Sequence, residues 1–156
     1  MKKILIAFMI IMCLIPSTGC EPVTAWYTYE TLSDIVSIEL IYYDNNDAIK
    51  LVRQRDKVKP FDFSKSTVIK VLDSEKTKEF ILELSGAMYI MQSRFLDSPK
   101  GESVKMNYKD GGFRIICCNA QFSCRYDEFG NVKYVNGRCA DPKLKELVEK
   151  FFYKEL

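Results

Sequence analysis

The residues with the most chemistry in this chain are its cysteines. It has six, Cys13, Cys20, Cys117, Cys118, Cys124 and Cys139, and no histidine. Without histidine, Ser-His-Asp and Cys-His catalysis and histidine zinc sites are excluded. Catalysis would fall to carboxylates, lysines, tyrosines or thiolates. Cys117 and Cys118 are adjacent in a β-like run, so their side chains point to opposite faces. A hairpin turning about Ala120-Gln121 sets Cys117 opposite Cys124, within disulfide reach. Cys118 is then left for Cys139, closing a 22-residue loop worth about 3 kcal/mol on the chain-entropy model. Four cysteines allow about three connectivities. A Cys₄ zinc site or a redox dithiol usually needs a Cys-x-x-Cys pair, and the chain has none. No metal and no cofactor is expected.

The compartment is written at the start of the chain. Lys2 and Lys3 precede a twelve-residue apolar run, Ile4 to Ile15, closed by Pro16-Ser17-Thr18-Gly19-Cys20. A charged region, a short apolar core and small residues make a secretory signal peptide over 1–19. A membrane-spanning helix needs about 20 apolar residues, so this run is too short to be one. Ser17-Thr18-Gly19-Cys20 resembles the lipobox of bacterial lipoproteins, with Ser17 where a leucine-like residue is usual. That resemblance implies a diacylglycerol on Cys20 and a chain tethered to the outer face of the bacterial cytoplasmic membrane. It points to the broad class of small uncharacterised surface lipoproteins. Cleavage after Gly19 or Ala25 would instead give a secreted chain. Lipidation of Cys20 leaves four cysteines, which can pair fully, in the oxidising environment that favours disulfides.

Residues 20–156 number 137, enough for one domain. The whole chain carries 23 Lys+Arg and 21 Asp+Glu, and without Lys2 and Lys3 the two signs are equal. A neutral domain is a poor match for nucleic acid, which rewards concentrated positive charge.

The elements follow from pattern. Residues 20–33 read as a tether with a possible edge strand, and Trp26, Tyr27 and Tyr29 could pack on the domain or meet headgroups. Residues 34–156 read as a single domain. Ile35 to Tyr43 is a strand, Asp44-Asn45-Asn46-Asp47 a tight turn, and Ala48 to Arg55 its returning partner. Phe61-Asp62-Phe63 ends a second hairpin or edge strand, and Thr67 to Leu72 is a strand by β-branched content. Asp73 caps a helix of about 74–86 ended by Gly86, and Asp141-Pro142 starts another of about 142–153. Ala87 to Leu96 is ambiguous. Ser103 to Val135 reads as a meander, with turns at Lys109-Asp110-Gly111-Gly112 and Glu128-Phe129-Gly130-Asn131. The fold class is α+β: an antiparallel, meander-rich sheet with two helices on one face.

Other candidates are weaker. Lys50, Arg53, Arg55, Lys57 and Lys59 form a basic patch that could contact an anionic surface or polymer, or could simply be a solvated edge. Asp44, Asn46 and Asp47 lack the spacing, glycine and glutamate of a calcium loop. Asp127 and Glu128 are paired carboxylates with little room for a cleft, so no catalytic residue is assigned. The expected role is non-catalytic binding of a protein or polymer at the cell envelope. The alternatives are an inhibitor or immunity-type module, which would show an exposed aromatic or acidic loop, and a thiol-based redox protein, which would show a cysteine of depressed pKa.

Overall fold

The computed structural model describes residues 23–24, 32–46, 48, 50–85, 89–90, 95–119, 122–136, 138–139 and 143–154. The leader, Cys20, Trp26, Tyr27, Tyr29, Gly86, Ala120, Gln121, Asp141 and Pro142 lie outside them. The strands are β1 (Val23–Thr24), β2 (Ile35–Tyr43), β3 (Leu51–Val52), β4 (Ser66–Val71), β5 (Tyr89–Ile90), β6 (Phe95–Leu96), β7 (Gly101–Tyr108), β8 (Phe113–Cys117), β9 (Ser123–Tyr126), β10 (Val132–Asn136) and β11 (Arg138–Cys139). Helix α1 is Ser74–Leu84, and α2, Lys143–Val148, runs on as a π turn over Glu149–Tyr153.

Six strands form one antiparallel sheet in the order β10-β9-β8-β7-β2-β4. Local turn chemistry drives the meander: Gly111 and Gly130 take positive φ, which costs other residues strain. Both faces of the central strands are covered, so successive residues Leu40 and Ile41 are both fully buried, in different clusters, whereas the edge strand β4 is exposed. On one face Ile38, Leu40, Val104, Met106 and Ile116 pack against Phe80 and Leu84 of α1 and Leu144, Leu147 and Phe151 of the second helical segment. The fold is α+β, with the two helices on one face of the sheet.

Asp73 caps α1, its carboxylate accepting from the Lys76 N–H at 2.8 Å. The adjacent Phe151 and Phe152 are both buried, and their rings lie 5.4 and 6.1 Å from that of Phe80. Each such ring removes enough apolar area from water to contribute about 1.5–3 kcal/mol.

The opposite face is aromatic. Phe61 meets Tyr43, Phe113 and Tyr126 at ring separations of 5.0–5.5 Å, and Val58, Phe95 and Ile115 complete the cluster.

Two expectations are corrected here. Ala48 to Arg55 does not return along β2, whose neighbours are β4 and β7; Leu51–Val52 pairs instead with Phe95–Leu96. The cause is Asn45, buried and donating to Ser98 Oγ at 2.7 Å, which draws the chain toward the 97–99 loop rather than into a tight turn. Phe61-Asp62-Phe63 is no strand: Asp62 caps a short 3₁₀ turn over Phe63–Lys65. Val23–Thr24, in the stretch read as a tether with a possible edge strand, is the edge of a three-stranded sheet: it pairs with Tyr89–Ile90, which also pairs with β11.

Candidate functional site

The cysteines are where the strands put them. Cys117 sits in the aromatic cluster and Cys118 packs on the helix side, as adjacent strand positions must. The hairpin register differs from expectation. Ile115, not Cys117, lies opposite Cys124, and the Cys117 N–H bonds the Phe122 carbonyl at 2.8 Å. The hairpin is centred one residue earlier than Ala120-Gln121, so Cys117 and Cys124 share a face but stand diagonally. Diagonal partners are about 7–8 Å apart, too far for a disulfide without a slip.

Cys117, Cys118 and Cys124 are free thiols here, and the Cys139 side chain lies outside the described residues. Burial raises all three thiol pKa values, Cys118 and Cys124 to about 12. For Cys118 the Glu102 charge adds to burial; for Cys124 the nearby Tyr126 hydroxyl partly offsets it. The Tyr126 hydroxyl is itself buried near that thiol, with no hydrogen-bond partner among the described residues. Such thiols are poor nucleophiles and poor metal ligands. No group of three metal-ligating side chains comes together among the described residues.

The basic segment is pinned at its backbone. Asp97, almost fully buried, accepts from the Lys50 N–H, and its carbonyl accepts from the Lys59 N–H at 2.6 Å. Lys50, Arg53, Lys57 and Lys59 are exposed, with Lys59 Nζ 3.6 Å from Asp97; the Arg55 side chain is not among those described. They line a loop and a 3₁₀ turn, Arg55–Lys57, rather than a strand edge.

A built site lies elsewhere, at the end of the sheet where β7 turns into β8 and β9 into β10. Asp34, Tyr108, Lys109, Asp110, Arg125 and Tyr134 line a cleft of about 320 Å³. Arg125 is its buried cation. Its Nη1 donates to the Tyr126 carbonyl at 2.8 Å and its Nη2 to Asp110 Oδ1 at 2.6 Å. The guanidinium lies 4.0 Å from the Tyr108 ring centroid, a stacked cation–π contact.

Directly across the strand pair stands Arg114, also buried, donating to Tyr108 Oη at 3.3 Å and Ser123 Oγ at 3.1 Å and resting against the Tyr134 ring. Gly112 gives Arg125 its space. Asp110 Oδ1 also accepts from the Gly112 N–H at 3.1 Å. Burial pushes the Asp110 carboxyl up, but Arg125, the Gly112 N–H and Lys133 together hold it below its ordinary value.

The neighbouring turn presents an aromatic. Phe129 is 75 % exposed, yet its turn is tightly bonded. Asp127 Oδ1 accepts from the Phe129 and Asn131 N–H groups at 2.9 and 2.8 Å, and Asn131 Nδ2 reaches Oδ2 at 3.0 Å. The Gly130 carbonyl in turn accepts from the Phe61 N–H at 2.8 Å, fixing the turn to the aromatic core.

Sequence reasoning missed Arg114, Arg125, Tyr108 and Tyr134. The available signal was a charged residue inside each of two strands otherwise rich in buried types, Phe113-Arg-Ile-Ile-Cys117 and Ser123-Cys-Arg-Tyr126. A buried charge must find partners, so two of them facing each other mark a site. No family model, curated protein or solved structure matches the chain.

Proposed function

We propose that this chain is an exported, lipid-anchored domain that binds a protein partner at the cell envelope without catalysing a reaction. The leader and Cys20 support export and anchoring. The observation that carries the binding role is the Phe129 turn. A large apolar ring held in water by a rigid, hydrogen-bonded turn gains no stability for the fold. As a binding anchor it loses little conformational freedom on docking. Asp127 and Glu128 set acidic character around it. The raised thiol pKa values weigh against thiol chemistry. An inhibitor or immunity-type module is the second reading, favoured by this same exposed aromatic loop. It differs in having one secreted enzyme as its partner.

The test places a photo-crosslinking phenylalanine at position 129 and, as a control, at Leu82, 66 % exposed on α1. One discrete adduct from position 129 and none from position 82, in intact cells, is the expected result. Equal or absent labelling from both positions sinks the reading. The intact mass of the membrane-extracted chain tests the anchor: it should begin at Cys20 and carry a diacylglycerol.

A further inference from the structure

We propose that the cleft between Tyr108, Arg125 and Tyr134 is a binding site for a carboxylate, with Arg125 as the anion-binding group. This goes beyond the docking role of the Phe129 turn and does not depend on it.

The argument begins with hydrogen-bond capacity. A guanidinium has five N–H donors in one plane. Among the described residues Arg125 uses one at Nη1 and one at Nη2. Three therefore remain, on a side chain only 5 % exposed. A cation so dehydrated gains little from water, and its carboxylate partner among the described residues, Asp110, is 52 % exposed. Asp110 is also shared with Lys133 at 3.6 Å and with the Gly112 N–H. Stacking on Tyr108 covers one flat side of the guanidinium and leaves its in-plane donors to act.

The lining then selects the ligand. Planar carboxylates match the guanidinium fork bidentately. The cleft already holds Asp34 and Asp110, so a phosphate dianion meets more repulsion there than a carboxylate does. Lys109 and Asp34 pair at 3.5 Å on the rim, both more than 60 % exposed, and offer a weak pair that an incoming group can displace. Tyr134, 44 % exposed, supplies an aromatic wall for an apolar substituent on the acid. A volume of about 320 Å³ suits a small aromatic acid or one acidic side chain of a peptide.

The experiment titrates the full chain with benzoate and follows the side-chain Nε–Hε resonance of Arg125 by NMR. A saturable shift is expected, with inorganic phosphate at least about threefold weaker. Arg125→Lys removes the fork and should weaken benzoate about tenfold. Asp110→Asn removes the competing carboxylate but keeps an oxygen for the Gly112 N–H, and should strengthen binding about threefold. That gain is what a purely structural Asp110–Arg125 pair would not give, and it stands even if Arg125→Lys fails to fold. A second titration, with an acetylated, amidated peptide carrying one glutamate, separates the sources. Tighter binding than benzoate assigns the site to peptide side chains, weaker binding to free acids. No saturation below about 50 mM benzoate, phosphate binding more tightly than benzoate, or an Asp110→Asn variant that binds more weakly overturns the proposal.

Discussion

Gly112 and Arg125 are in direct contact: a Cβ added at Gly112 would stand 2.5 Å from Arg125 Nη1 and 2.6 Å from the Tyr126 carbonyl oxygen that Nη1 bonds. The second glycine of the Asp110-Gly111-Gly112 turn therefore seats the buried cation, while Gly111, at φ +82°, makes the turn itself. Gly112→Ala should push the guanidinium off its carbonyl and cost about 1–3 kcal/mol in urea unfolding. It should also move the Arg125 Nε resonance. A variant as stable as the parent would show that the guanidinium is not locked in place.

The Phe129 turn separates two kinds of residue. Gly130 has φ +87°, and a Cβ there would lie 2.7 Å from the Phe61 carbonyl oxygen, so Gly130→Ala should cost about 1–3 kcal/mol. Phe129→Ala, one residue earlier, should leave stability within about 0.5 kcal/mol because the ring is in solvent. Thermal unfolding of the two variants side by side checks the contrast. Equal losses would mean the ring supports the fold.

Acid should weaken this end of the sheet. The Asp127 carboxyl is held below its ordinary value, chiefly by the hydrogen bond from the Asn131 side chain and also by the Asn131 and Phe129 N–H groups. For Asp110 the Arg125 hydrogen bond overrides the upward push of burial. A folded-state pKa below the unfolded one means the unfolded chain binds the proton more readily. The stabilisation is complete above about pH 4 and is lost as pH falls through the folded value. The melting temperature should fall as the pH drops below about 4, and Asp127→Asn should flatten that slope. An unchanged slope would remove Asp127 from the account.

The thiols should be silent in the native state. At about pH 8 a thiol reagent should modify the buried Cys117 and Cys124 only as fast as the chain opens, and the part-exposed Cys118 slowly because its thiol is raised to about 12, with all three reacting promptly in denaturant without reduction. Peptide mapping identifies the modified positions. Fast native labelling of any of the three would return thiol chemistry to consideration. Resistance of Cys117 and Cys124 in denaturant would mean that the hairpin had shifted by two residues to bridge them.

The elements that were readable in the sequence are those whose causes are local. The Asp73 cap, the Asp110-Gly111-Gly112 turn and the alternation of β7 each depend on neighbours within a few residues. What escaped depends on a distant partner or on an exact register. The path after Tyr43 is decided by Asn45 meeting Ser98, 53 positions away. The diagonal placement of Cys117 and Cys124 depends on a turn centred one residue earlier than expected. The cleft escaped for the same reason: Arg114 and Arg125 are ordinary charges until the β8–β9 register sets them opposite each other and a glycine clears the space.

The short strand β1 has a mechanical consequence for an anchored chain. Val23 is already paired with Ile90, three positions after Cys20. Three extended residues reach at most about 11 Å. With lipid on Cys20, the anchor would have no long leash to this sheet: β1, β5 and β11 would ride close above the headgroups. Encounter would then be largely a two-dimensional search, favouring partners that share the membrane or lie immediately over it.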